Sequence, residues 1–181
     1  DGEGIEDRAH GRIPWSAVLE VSAQPVVWGT RTPPRILLKL DDDRWIGNVG
    51  WRQNEQTYDA VRLENTSIKG LKLDVSYVDQ VNRIFGDDSP AGRFESDSWL
   101  VNGKYDLSFE GAKASLGGFA YLLDFDNAPG ASSQTYGASA ALSKGMFSLK
   151  GAYAAQSDYG AQLIDYSADY YMVEGGVAKN G

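Results

Sequence analysis

From residue 57 onward the sequence divides into segments of alternating polarity, each roughly ten residues long, and the separators between them alternate strictly between short and long. The short ones fall at Ser67 to Gly70 (SIKG), Glu110 to Ala112 (EGA) and Ser143 to Gly145 (SKG), each with a glycine suited to a tight hairpin. The long ones fall at about Gln80 to Asp97, Asp124 to Gln134 and Gln156 to Ser167. In an antiparallel meander alternate connections lie at the same end of the sheet. The sequence therefore predicts a polarised sheet, with tight turns at one end and long loops at the other.

The faces of the segments carry the second constraint, because side chains two residues apart share one face of a strand. Leu71, Leu73, Val75 and Tyr77 fall on one face, and Lys72, Asp74, Ser76 and Gln80 on the other, with Val78 the one apolar exception. Trp99, Val101, Gly103, Tyr105, Leu107 and Phe109 oppose Ser98, Asn102, Lys104, Asp106 and Ser108, with Leu100 the exception. Phe147, Leu149, Gly151 and Tyr153 repeat the pattern against Ser148 and Lys150. Between Ala112 and Leu122, and between Thr135 and Ser143, the pattern is weaker and rich in Ala, Gly and Ser; Tyr171, Val173, Gly175 and Val177 suggest a last strand with Glu174 on its other face. Aromatics gather near strand ends, at Tyr77, Trp99, Phe109, Phe147, Tyr170 and Tyr171, as an interfacial girdle requires. These features predict an all-β, antiparallel up-and-down transmembrane β-barrel. A soluble antiparallel sheet with one wet face has the same period and stays open as the alternative, a binding module with no transport role.

A mean hydropathy of -0.38 does not decide between them. A membrane-spanning strand alternates lipid-facing and lumen-facing side chains and so halves its own signal. No run of about 18 apolar residues occurs, so the sequence predicts no membrane-spanning helix. The first residues lack a basic stretch followed by an apolar core, so no signal peptide is read there: either it is removed or the chain starts inside a longer protein. With no cysteine there is neither disulfide framework nor thiolate metal site, and a formal net charge of -8 disfavours a nucleic-acid partner.

Assigned to a lumen, the polar faces bring Arg62, Lys72, Lys104, Lys113 and Lys150 against Glu64, Asp74, Asp106 and Glu174. Such mixed charge suits a water-filled passage for polar solutes; solvated strand faces are the bland alternative. The long loops read as acidic, with Asp79, Asp87, Asp88, Glu95, Asp97, Asp124, Asp126, Asp158 and Asp165 outnumbering Arg83 and Arg93, but no spacing matches a calcium loop. The single histidine, His10, leaves little material for a catalytic triad or a multi-histidine metal site. No nucleophile elbow, phosphate-binding loop or dinucleotide fingerprint occurs, so neither enzymatic activity nor a cofactor is expected.

The run DDRWIGNVGWRQNEQ from Asp42 to Gln56, followed by TYDAVRL from Thr57 to Leu63, resembles the alginate-export family of outer-membrane porins. The run YVDQVNRIFGDDSPAGRFESDS, Tyr77 to Ser98, is similar to the first long loop after that segment in the same family. The resemblance covers roughly residues 35–181, expected to be barrel hairpins; residues 1–34, with three prolines in the second half of the stretch from Pro14 to Arg35, read as an irregular N-terminal segment. It implies a channel in the outer membrane of a Gram-negative envelope, in contact with lipid, for passive passage or export of polar solutes, including anionic sugars such as alginate. Carried over on the motif, Arg52, Asn54, Glu55, Asp59 and Arg62 are expected at the lumen wall. There Arg and carboxylate would bind sugar acids and hydroxyls, or equally hold one another by salt bridges. The family barrel is larger than this chain supplies, so about six to eight of its strands are expected here.

Overall fold

A computed structural model of the 181-residue chain describes residues 6–7, 11–12, 35–40, 44–52, 55–86 and 88–178. Near the start, β1 (Glu6–Asp7) and β2 (Gly11–Arg12) form a two-residue antiparallel ribbon. The main sheet comprises β3 (Arg35–Ile36), β4 (Thr57–Asn65), β5 (Leu71–Asn82), β6 (Arg93–Phe109), β7 (Ala112–Leu123), β8 (Ser133–Lys144), β9 (Phe147–Ser157) and β10 (Ser167–Val177). Each strand pairs antiparallel with the next, so spatial order follows chain order across eight strands, and β3 and β10 stand at the two edges of an open sheet. Among the described residues there is no α-helix, only a three-residue 3-10 turn at Pro129–Ala131.

Local chemistry accounts for the tight turns. Between β6 and β7, Glu110 and Gly111 both have positive φ, 42° and 76°, the backbone of a two-residue hairpin turn whose twist matches the strands it joins. That turn sets Phe109 opposite Ala112, and the register then runs unbroken up the pair to Trp99 opposite Leu122. One outward row reads Tyr105, Leu116, Ala140, Gly151 and Val173 across five strands, and the inward row beside it reads Lys104, Gly117, Ser139, Ala152 and Met172.

The polarised meander is present, with two differences. β6 begins at Arg93, so the loop after β5 is shorter than the expected Gln80 to Asp97. The ladder continues past a bulge after Val78, pairing Gln80 with Glu95 and Asn82 with Arg93. Asp79, Glu95 and Asp97 are thus strand residues rather than loop residues. Tyr170 also departs from the girdle: successive strand residues face opposite ways, so with Tyr171 outward and 73% exposed, Tyr170 points inward.

Residues 37–40 and 44–52 lie as a strap across the inner face instead of adding another strand to the sheet. Leu40 pairs with Ile46, the Leu40 N–H donating to the Ile46 carbonyl at 3.0 Å. Leu38 is fully buried, and with Ile36, Leu40 and Ile46 it packs in one cluster with Val78, Leu100, Tyr121 and Phe125 of the sheet and its loops. Trp45 reaches Phe119 on β7, 5.8 Å between ring centroids, and Tyr170 on β10, 5.3 Å and edge-on. β7 and β10 are three strand spacings apart, about 14 Å on a flat sheet. The sheet therefore curls around the strap, which covers the apolar patch made by Val78, Leu100 and Tyr121.

Candidate functional site

Below the strap, toward the tight turns, the inner face is charged. The ladders set like charges directly opposite one another, Glu64 against Asp74 and Lys72 against Lys104, which alone would repel. Ion pairs diagonal across β4 and β5 and along single strands resolve both. The Arg62 guanidinium donates to Asp74 Oδ2 from Nε at 2.8 Å and again from Nη2, and to Glu64 Oε1 from Nη2 at 2.9 Å. Lys72 Nζ lies 2.6 Å from the same Glu64 oxygen, and Lys104 Nζ 3.2 Å from Asp106 Oδ1. Asp74 is buried and also accepts a hydrogen bond from the Ser76 hydroxyl at 3.3 Å. A guanidinium shared by two carboxylates is held rigidly, since its planar fork is preorganised for such contacts.

These side chains line a cavity of about 430 Å³ bounded by Lys39 of the strap, Arg62, Lys72, Asp74, Asn102, Lys104 and Lys150. Asn102 Nδ2 donates to the Tyr121 hydroxyl at 2.9 Å, fixing the wall between charged and apolar zones. Nearer the turns, Asp106, Lys113, Lys150 and Glu174 border a further space of about 310 Å³, with Glu174 opposite Lys150 in the ladder. Above the strap, at the loop end, a third cavity of about 470 Å³ is lined chiefly by aromatic and aliphatic side chains.

Of the residues expected at a lumen wall, Arg62, Glu64, Lys72, Asp74, Lys104, Asp106, Lys113, Lys150 and Glu174 share the inner face and gather around the two charged cavities. The motif residues are placed differently. Asp59 is buried near the β3 edge, where it accepts from Asn82 Nδ2 at 3.0 Å with Arg35 Nε 4.0 Å away. Arg52 is exposed at the loop end, its guanidinium stacked 4.1 Å over the Trp51 ring. Glu55 accepts from Asn48 Nδ2 at 2.7 Å. Asn54 lies outside the described residues.

Lys39 escaped the sequence reading, and Asn102, read there on the polar face of its strand, was not among the residues assigned to a lumen wall. Lys39 sits between the buried Leu38 and Leu40, so alternation alone would have sent it to the opposite side, but the strap orientation is nonlocal. Among the described residues, Lys39, Arg62, Lys72, Lys104, Lys113 and Lys150 share this face with the carboxylates of Glu64, Asp74, Asp106 and Glu174. No group of three or more metal-ligating side chains occurs among the described residues. No family model matches the chain, and no curated protein and no solved structure matches it.

Proposed function

We propose that this chain forms part of the wall of a bacterial outer-membrane β-barrel channel, for passive passage or export of polar solutes, with anionic polysaccharide such as alginate among them. The observation that carries the reading is the contrast between the two faces of one sheet. Outward, Val61, Leu73, Val101, Leu116, Leu149 and Val173 are all between 41% and 82% exposed. Apolar exposure continuous over strands is unlike the scattered single residues of a water-soluble surface, and lipid is the partner that would cover it. Inward lies the charged network around Arg62.

The spacing of the outward aromatics supports the same reading. Tyr77 and Trp99 touch at 5.1 Å toward the loop end, and Phe109 and Phe147 are exposed at the turn end, while Tyr153 and Tyr171, also 5.1 Å apart, lie near mid-strand. From Trp99 to Phe109 a strand rising about 3.3 Å per residue covers about 33 Å, or about 25 Å of height at the usual barrel tilt of about 40°. That is the height of an apolar band between two girdles. The resemblance to alginate-export porins points the same way.

Proteoliposomes containing the closed barrel to which this wall belongs should conduct ions and take up small polar solutes. Absence of both would overturn the channel reading. The alternative, a soluble sheet that binds through its inner face, is decided by solubility: it would stay folded and monomeric without detergent, whereas the channel wall would aggregate.

A further inference from the structure

The cavity above the strap is closed on its lower side. Val78 and Leu100 line it at 2% and 1% exposure, and both belong to the buried cluster that holds Leu38, Leu40 and Tyr121. None of its lining residues borders the charged cavity. The space of about 470 Å³ is therefore a blind pocket whose opening lies at the loop end, where Trp51 is 76% exposed. Its walls carry Trp45, Trp51, Tyr58, Phe94 and Phe125, and a volume of this size holds a compact ring-bearing molecule.

The polar groups of the wall are already engaged with one another. The Tyr58 hydroxyl donates to the Gly47 carbonyl at 2.7 Å and accepts from Gln56 Nε2 at 2.6 Å, and Asn48 Nδ2 donates to Glu55 at 2.7 Å. The Ser96 hydroxyl donates to that of Ser98 at 2.8 Å, and Ser98 accepts from the Asp124 N–H at 3.0 Å. Among the described residues no buried side-chain nitrogen or oxygen lacks a partner, and none of the lining residues is charged. An ion entering the pocket would leave its water shell for no opposite charge and no spare hydrogen bond, and a sugar would meet the same loss at each hydroxyl. An apolar ring only displaces water that such a wall holds poorly.

Aromatic walls by themselves also attract organic cations, through the negative faces of the rings. Two of those faces are taken. The Arg52 guanidinium lies 4.1 Å from the Trp51 ring centroid and the Arg83 guanidinium 4.3 Å from that of Phe94, and neither arginine lines the pocket. Each of these rings is thus backed by a cation outside the pocket, which steadies the ring and repels a second cation. We propose that the pocket above the strap binds compact uncharged aromatic molecules, with the ring held among Trp51, Phe94 and Phe125. The site stands apart from the charged face and does not depend on the channel reading.

The test is calorimetric titration of the full chain in detergent, with protein-free micelles as the blank, using three probes that share one ring system: naphthol, naphthoate and trimethyl(naphthylmethyl)ammonium. Naphthol should bind saturably and at least about tenfold more tightly than either ion, each tenfold corresponding to about 1.4 kcal/mol. The outer apolar face is the competing place for any such ring, and two variants separate it from the pocket. Trp51→Ala, at an exposed side chain whose loss does not threaten the fold, should weaken naphthol severalfold, while Trp99→Ala on the outer face should leave it unchanged. Either ion binding as tightly as naphthol, or naphthol binding lost with Trp99→Ala and kept with Trp51→Ala, would overturn the site. Naphthol heat no greater than that of the micelle blank would do the same. Ion conductance of the closed barrel reports on the channel alone, so the failure of one reading leaves the other standing.

Discussion

Gly160, in the loop between β9 and β10, has φ of 55°, and a Cβ built there would lie 2.2 Å from the Asp124 carboxyl. Only glycine fits both the backbone and the space. Asp124 uses that closeness: its Oδ1 accepts from the Ala161 N–H at 2.8 Å, while its own N–H donates to the Ser98 hydroxyl at 3.0 Å. One residue thereby ties two long loops to β6, its carboxylate holding the loop after β9 and its backbone N–H bonding Ser98. Gly160→Ala should cost about 1–2 kcal/mol of local stability, read as faster hydrogen exchange at the Ala161 amide and faster proteolysis within 158–166. Unchanged exchange there would mean that the tie is not what orders the loop. A second residue-scale test concerns Leu100, which is 1% exposed under the strap. Leu100→Ala should destabilise the protein by about 2–5 kcal/mol, with the Leu40 amide losing protection first. Val78 and Leu100 are also where the sequence was most informative without being understood. Both broke an otherwise polar face, and both are the footprint of the strap. Alternation is local and could be read; what covers the exception is a contact between residues far apart in the chain and could not.

At the scale of elements, β4, β5 and β6 present a charged sheet face that is stable only because its pairs are crossed. Arg62 stands between Glu64 and Asp74, which are ladder neighbours of like charge. Removing it leaves two carboxylates facing each other, one of them on a buried side chain 4% exposed. Arg62→Gln should cost on the order of 2–3 kcal/mol, below the value for a fully buried pair because Arg62 itself is 20% exposed. The double variant Arg62→Gln with Asp74→Asn should recover a large part of that loss in urea unfolding. Additive losses would show that the two groups do not act as a unit. The residue types of this cluster were readable from the strand faces, yet its geometry was not: the register that sets Glu64 opposite Asp74 depends on a bulge after Asp59 and on the turn that ends at Gly70. The strap was less legible still. Its sequence alternates as a strand would, at Ile36, Leu38 and Leu40, and only the packing of Trp45 against β7 and β10 distinguishes a crossing segment from another strand.

For the molecule as a whole, the distinction between its two faces can be put to a test within one dipeptide. Ser115 and Leu116 are neighbours midway along β7: Ser115 borders both charged cavities on the inner face, and Leu116 is 53% exposed on the outer one. Exposure to water alone gives no reason for Leu116 to tolerate charge less well than Ser115, because neither side chain is buried in a protein core. Exposure to lipid does. On a lipid-facing strand an arginine near the bilayer midplane costs about 2–4 kcal/mol, while a lumen position costs little. Leu116→Arg should therefore destabilise the protein by about 2–4 kcal/mol in lipid vesicles, and Ser115→Arg by less than about 1 kcal/mol, both measured by urea unfolding. In a soluble sheet the order would invert, since Leu116→Arg would add charge to a wet surface and Ser115→Arg would crowd a face already holding Lys104, Lys113 and Lys150. The sign of the difference between two adjacent substitutions thus reads out which solvent the outer face meets.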